Sequence, residues 1–403
     1  MFDHYFTMTE EQAIAYTKAH LIFFDLSDTL HCKEIGDGNL NYIFKVFCME
    51  TKKSIIIKQS GPVARISDQF KLSPDRNRIE YEILKVHHEL APGLVPRVYH
   101  YDPIMNLTVM DDLSDHVIMR TEMLNHKAFP RFVEDITDFM VNTLLLTSDV
   151  CMSHKDKKAW VVNFTNPELC EISEDLVYTE PFNDINTRND VFEPNRDWVQ
   201  RHLYSDTALL LETAKLKFEF MNHAQALVHG DLHTGSIFVK ADSTKVIDPE
   251  FAFYGPMGYD VGNVVANLIF AWANADAHGE QAHAQKLWLE STIVQLIDVF
   301  CEKFIKVWDA RAIEVTAHYK GFKEHYLRGV ISDTAAVAGL EGIRRIVGIA
   351  HVKDIVLIAD SQRRMRAERL VMTCAKRFIM ERSTIQTGAD FLRVLKETEA
   401  AFI

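Results

Sequence analysis

Apolar and polar positions alternate along much of the first hundred residues. In LNYIFKVFCME (40–50) they change places residue by residue, the period of a half-buried strand. KSIIIKQ (53–59) is a short β-branched run, and LTVMDDL (107–113) is an apolar stretch that ends in acids; both predict strands. Between them, SPDRNRIEYEILKVHHELA (73–91) opens on Ser-Pro, a helix start signal, and brings Ile79, Ile83, Leu84 and Val86 onto one helical face. APGLVPRVYHYDP (91–103) is rich in turn residues and predicts a loop. Up to residue 112 the expected order is strand, turn, strand, strand, helix, loop, strands.

Past Leu113 the period lengthens. FVEDITDFMVNTLLLTSDV (132–150), SDTALLLETAKLKFEFMNHAQAL (205–227), GNVVANLIFAWANA (262–275), AQKLWLESTIVQLIDVFCEKFIKVWDA (284–310) and several stretches from 325 to 398 repeat apolar residues at helical spacing. The exception is 227–254, which reads as strand, loop, strand, loop. No internal repeat or low-complexity segment interrupts the pattern. The expectation is an α+β chain of two lobes, a small sheet-rich one over 1–112 and a larger, mainly helical one over 113–403, with a short hairpin set into the second.

Composition narrows the partners. The 403 residues are 47% apolar and 25% charged, enough for an ordinary core. A formal net charge of −13 speaks against nucleic acid or an anionic membrane as the main partner, though a local basic pocket remains compatible with a phosphate. No apolar run reaches the roughly 18–20 residues of a membrane span. MFDHYFTMTEEQ has neither a basic start nor a long apolar stretch, so no signal peptide is expected. Cys32, Cys48, Cys151, Cys170, Cys301 and Cys374 form no C-x-x-C pair, which fits reduced thiols in a cytoplasmic protein.

Four segments carry candidate chemistry. In EIGDGNLNYIF, Gly36 and Gly38 stand in a turn between strand-like runs, where glycine lets backbone amides approach a phosphate; a plain hairpin turn has the same signature. Lys58 follows Gly38 by 20 residues on an isoleucine strand. It either snorkels at an edge or reaches ATP phosphates from beneath the glycine turn, with Glu80 or Glu82 of the next helix as its carboxylate partner. Met110, Asp111, Asp112 and Leu113 end a strand at the expected lobe boundary, where backbone groups can take an adenine; an ordinary acidic loop reads alike. In LVHGDLHTGSIFV, Asp231 is followed 17 residues later by Asp248 in KVIDPEFAFYGP. Two acids just past strands suit phosphoryl transfer, one receiving the proton of the attacking hydroxyl and the other holding Mg²⁺ at the phosphates. The rival is a metal site of His229, Asp231 and His233, but those histidines are four apart around Gly230, a poor helix. Hydrogen-bonded core histidines would explain the rings without explaining Asp231, Asp248 and Lys58 together.

HGDLHTGSI followed by IDPEFAFYGPMGYDVGN closely resembles the 5-methylthioribose kinases, a protein-kinase-like family in the branch of the aminoglycoside phosphotransferases and choline kinases. GDGNLNYIFKV, IIIKQ, MDDLSDH and GIRRIVGIAHV extend the resemblance over nearly the whole chain. It implies a kinase using ATP and Mg²⁺ on the sugar 5-methylthioribose, in methionine salvage, and a homodimer. Asn39 and Lys58 match the family's ATP contacts, residues 110–113 its adenine hinge, and Asp231 its catalytic aspartate. Asp248 and Glu250, flanking Pro249, match its metal-holding pair, and Arg344 and Arg345 its sugar-side arginines. Without the family, those arginines would be a cationic helix face. Three departures stand out. Ser236 occupies the place of the wider superfamily's metal-binding Asn, as is normal for these kinases. Phe70 stands where most members carry a tryptophan, which keeps an aromatic lid but loses the indole N–H. The turn DGNLN lacks the third glycine of a protein-kinase loop, which puts protein substrates in doubt. The alternatives are a kinase for another alcohol or sugar such as choline or an aminoglycoside, a metal-dependent hydrolase, and an ATP-binding pseudoenzyme.

Overall fold

A computed structural model describes residues 1–35, 41–61, 63–64, 67–71, 73 and 76–402. The glycine turn with Gly36, Gly38 and Asn39 lies outside them. Helix α1 (Glu10–His20) starts on a capping box: Thr9 accepts from the Gln12 amide and the Gln12 side chain returns to the Thr9 amide. Then come β1 (Leu30–Ile35), β2 (Asn41–Cys48), β3 (Ser54–Ser60), a small ladder of β4 (Val63–Ala64) and β5 (Ser67–Lys71), α2 (Arg76–Leu90), β6 (Val98–Asp102) and β7 (Leu107–Asp111). The main sheet has the order β1-β2-β3-β7-β6, and every pairing in it is antiparallel.

Period-two alternation explains what each face does. Phe44, Val46, Ile55, Ile57, Leu107 and Val109 are buried with Ala13 and Tyr16 of α1 in a core of their own. On the opposite face Ile56 packs toward the main core of the larger lobe, and Lys58 follows it one turn of the pleat later. The turn-rich stretch 91–103, expected as a loop, carries β6. Pro92, Gly93 and Pro96 precede Val98 and Pro103 follows Asp102, so the strand between them is free of both residue types, and Val98, His100 and Asp102 hang on β7 as an edge.

The second lobe begins with β8 (Val117–Ile118), α3 (Met119–Leu124) and α4 (Phe132–Leu145). The 151–205 segment is helical, with α5 (His154–Asn163), α6 (Pro167–Leu176), α7 (Glu180–Asn183) and α8 (Arg196–Val199), and α9 (Thr207–Asn222) follows. Four short strands come next: β9 (Ala226–Val228), β10 (Ile237–Lys240), β11 (Ser243–Val246) and β12 (Phe253–Gly255). Strand β10 pairs with β11 in a hairpin and with β8, while β9 pairs with β12. The chain closes with α10 (Gly258–His278), α11 (His283–Arg311), α12 (Phe322–Val347), α13 (Lys353–Val356), α14 (Ser361–Glu381) and α15 (Gly388–Ala400). Helix α10 is buried on all sides from Gly258 to Ala275, which marks the centre of the lobe. Among the described residues no helix is long and apolar enough to cross a membrane. All six cysteines are free thiols.

Candidate active site

The catalytic candidate stands on the turn between β9 and β10. Gly230 has φ +84°, and a Cβ there would lie 2.3 Å from the Phe251 carbonyl oxygen, so only glycine fits. Asp260, in the first turn of α10, accepts from the amides of His229 (2.7 Å) and Gly230 (3.0 Å) and fixes the start of the turn. His229 Nδ1 accepts from the Asp231 amide (3.3 Å), so its proton is on Nε2, which donates to the Ile247 carbonyl (2.9 Å). His233 Nδ1 accepts from the amides of Gly235 (3.0 Å) and Ser236 (3.1 Å). Its Nε2–H is therefore the nitrogen 3.4 Å from Asp231 Oδ2. Burial pushes the His233 ring down to about 4, with the facing Asp231 pulling the other way. The two imidazoles thus brace the turn, and the Asp231 carboxylate beside His233 is left 29% exposed.

Across the cleft, β3 delivers Lys58. Its ammonium meets Glu80 of α2 at 2.8 Å and also bonds Asp248 of the β11–β12 loop. Of the two carboxylates expected as partners, Glu80 is the one that pairs; Glu82 faces Lys85 at the surface. Burial opposes charge on Lys58, but Asp248, Glu80 and Glu250 outweigh it and hold the ammonium above its ordinary range. Burial pushes the Glu80 carboxyl up to about 7 against the pull of that lysine. Asp248 has the left-handed φ of +68°, rare for a residue with a Cβ, and its side chain is 43% exposed. Burial would raise its carboxyl; Lys58 more than offsets this and lowers it.

Glu250 differs from its neighbour two residues away. It is 3% exposed, accepts from Asn41 Nδ2 (3.3 Å) on β2, and is met by Arg76 Nε (3.2 Å) at the start of α2. It ties the second lobe to the first. Pro249 between them is buried, and its carbonyl accepts from the Ala252 amide (3.1 Å).

On the other flank of Asp231, α12 presents Arg344 and Arg345, with Nη2 atoms 3.9 and 3.8 Å from Asp231 Oδ1. Both are held by Glu341, one helical turn earlier; the Arg345 Nε–Glu341 contact is 2.7 Å. Burial would raise Glu341, but the two guanidinium groups draw it down to about 2. The residues sequence reasoning missed are Glu341, Asp260, Arg76 and Asn41. Glu341 was findable, since an acid three and four positions before two arginines is ion-pair spacing on a helix. Nothing local announces the other three.

At the end of β7 the two acidic side chains have partners within the protein. Met110 is buried. Asp111 accepts from the Arg97 amide (2.8 Å) and the Tyr99 hydroxyl, and Asp112 from Ser54 Oγ (2.7 Å) and Lys45 Nζ (2.7 Å). The Leu113 carbonyl accepts from the His116 amide (2.9 Å). What this segment has to offer an adenine is therefore backbone. Among the described residues no three His, Cys, Asp or Glu side chains cluster as a metal cage. The half-exposed Asp248 carboxylate would suit a hard divalent cation such as Mg²⁺. Glu250 in this arrangement has its oxygens engaged by Asn41 and Arg76.

The phosphotransferase enzyme family matches residues 62–292, more than half of the chain. The chain is 41% identical to the methylthioribose kinase of Geobacillus kaustophilus and 37% identical to that of Bacillus pumilus, in each case over 98% of both chains. Among solved structures, a choline kinase from Cryptosporidium parvum is similar with a TM-score of 0.51 at 13% identity, covering 98% of this chain and 97% of the other, a likeness of fold.

Proposed function

The chain belongs to the methylthioribose kinases of the phosphotransferase enzyme family, and from that premise we propose that it transfers the γ-phosphoryl of ATP to the 1-hydroxyl of 5-methylthioribose, a step of methionine salvage. The observation that carries the mechanism is the grouping around Asp231. Arg344 and Arg345 stand within 3.9 Å on one flank, and Asp248, which has the turn's His229 and His233 in its electrostatic surroundings, is paired with Lys58 of the first lobe.

In this mechanism Asp231 orients the sugar hydroxyl and receives its proton as the new bond from oxygen to the γ-phosphorus forms. The bond to the β-phosphate oxygen breaks, and its electron pair leaves with ADP. The His233 Nε2–H keeps Asp231 in place, so the carboxylate needs no rearrangement as the reaction proceeds. Lys58 neutralises phosphate charge, and Arg344 and Arg345 grip the acceptor and answer charge on the transferring group. Asp248, with Glu250 beside it, would hold Mg²⁺, which would supply charge neutralisation at the phosphates. Gly36, Gly38 and Asn39 belong to the ATP side of this proposal, as do residues 110–113 through their backbone. Residues 1–112 form its nucleotide lobe and 113–403 its acceptor lobe. A cytoplasmic homodimer without a nucleic-acid or membrane partner completes the picture; it rests on the family and on the net charge of −13.

ADP release measured with methylthioribose, choline and kanamycin side by side tests the reading. We expect kcat/KM for methylthioribose to exceed the others by at least about 10⁴-fold, as for a site whose buried polar groups are built for one substrate's hydroxyls. Preference for choline or kanamycin overturns the substrate. Tightly bound zinc with ATP-independent hydrolysis, or ATP binding without turnover, overturns the reaction class.

A further inference from the structure

Arg120 lies outside every motif discussed so far, yet it reaches under the catalytic turn. It is the second residue of α3, directly after the strand that pairs with β10. Its backbone amide donates to the Thr234 carbonyl (3.1 Å), and its Nε donates to Thr234 Oγ1 (3.3 Å). Nη2 donates to Asn267 Oδ1 (2.6 Å) on α10, the same oxygen that Thr234 Oγ1 reaches at 3.2 Å. The turn leaves no slack at this point: a Cβ on Gly235 would lie 2.8 Å from the His233 ring and 3.4 Å from Arg120 Nη1. The guanidinium thus lies against the same few atoms that aim His233 Nε2–H at Asp231.

The same Arg120 Nε lies 3.7 Å from Oδ2 of Asp354 on α13. Asp354 is 1% exposed; burial raises its carboxyl, and the Arg120 charge is the largest influence drawing it back down. A buried carboxylate is costly unless a charge answers it, and the nearby cation is Arg120. The segment leading into α13 also backs the sugar-side arginines, since Arg345 Nη1 donates to the Ala350 carbonyl (3.3 Å).

We propose that Arg120 is a positioning residue that fixes the Thr234–Gly235 turn beneath Asp231 and, through Asp354, locks that turn to the segment behind Arg345. The proposal rests on Asp231 being the catalytic carboxylate. Its consequence is that the acceptor hydroxyl's base and the acceptor's arginines are held in register by one buried ion pair.

Steady-state kinetics of Arg120→Met, Arg120→Lys, Asp354→Asn and the Arg120→Met/Asp354→Asn double variant test it. A displacement of the turn by about 1 Å is worth on the order of 10²-fold. We expect Arg120→Met to lose about that much kcat while KM for ATP changes less than about threefold, Arg120→Lys to recover part of the loss, and the double variant to be no worse than Arg120→Met, because coupled residues are not additive. In an Asp231→Asn background the Arg120→Met effect should vanish, which a merely structural role would not produce. Wild-type kcat in Arg120→Met, or additive losses in the double variant, overturns the proposal. Arg120→Lys keeps the buried charge and decides the matter if the methionine variant does not fold; wild-type kcat in it overturns the proposal equally. Asp231→Asn alone separates the two ideas: if it stays active, the catalytic assignment fails, and if it is dead while Arg120→Met is active, only the role of Arg120 fails.

Discussion

Asp231→Asn keeps the side chain's size and removes its charge and half of its acceptor capacity. The hydrogen bonds that build the turn come from the amide of residue 231 and from the two histidines, so the fold should persist. We expect kcat to fall by about 10²–10⁴-fold with ATP affinity retained, measured by ADP release and by binding of a non-hydrolysable ATP analogue; a variant keeping more than about a tenth of wild-type kcat would remove Asp231 from the chemistry. His233 predicts a pH dependence of stability. Its ring titrates near 4 in the fold against an ordinary value of 6.5, so the folded state binds fewer protons than the unfolded state between those values. The stability carried by the neutral ring is complete above pH 6.5 and is lost as pH falls toward 4, at up to about 1.4 kcal/mol per pH unit for one proton. Urea midpoints at pH 7.5 and pH 5 should therefore converge in His233→Gln relative to wild type, and an equal drop in both proteins would contradict the assignment.

Helices α10 and α12 cross where side chains are absent. A Cβ on Gly262 would lie 2.7 Å from the Thr334 carbonyl oxygen and 2.7 Å from Val337 Cβ, contacts with backbone and a stiff side chain that cannot swing aside. Gly262→Val should destabilise by about 1–3 kcal/mol through overpacking. Because α12 carries Arg344 and Arg345 three turns further on, KM for the sugar should rise more than KM for ATP. Gly329, on the same helix, is exposed with nothing within 4 Å of its Cβ position. Gly329→Ala should stabilise by about 0.5–1 kcal/mol from helix propensity alone and leave both KM values unchanged. Thermal melts of the two variants check the contrast; a stable Gly262→Val protein would mean that the crossing is looser than its geometry.

At the scale of the molecule the two lobes meet through charge. Lys58 reaches Asp248, and Arg76 with Asn41 reaches Glu250, so two of the three residues in Asp248-Pro249-Glu250 are gripped by the first lobe. The half-exposed Asp248 has freedom that the buried Glu250 lacks. Asp248→Asn should raise the Mg²⁺ concentration for half-maximal rate by more than tenfold, roughly the scale of losing one of the one or two carboxylates Mg²⁺ uses. Glu250→Gln should raise it less, since it removes a charge beside the ion while its amide oxygen can still face Asn41. The readouts are Mg²⁺ titrations of the rate and of ATP-analogue binding. An equal effect in the two variants would make Glu250 a direct ligand that lets go of Arg76 when nucleotide binds.

Spacing alone determined the strands at 41–48, 54–60 and 107–111 and the long helices α2, α4, α10, α11 and α12, because burial of one face imposes a period on the chain. The motifs singled out Asp231, Asp248 and Lys58, because phosphoryl transfer calls for a carboxylate, a lysine and a metal holder in fixed local surroundings, and the structure pairs Lys58 with Asp248. The TEEQ signature of α1 was equally local and was passed over, whereas β6 was hidden behind the Pro and Gly residues that precede it. What only the tertiary structure decided are the partners of those residues. Glu80 rather than Glu82 meets Lys58, because the pitch of α2 turns one inward and the other to solvent. Asp260, Arg76, Asn41 and Arg120 reach the site from 29, 155, 190 and 111 positions away from Asp231 along the chain. No periodicity links residues at such separations, and their hydrogen bonds exist only once the lobes and helices have packed.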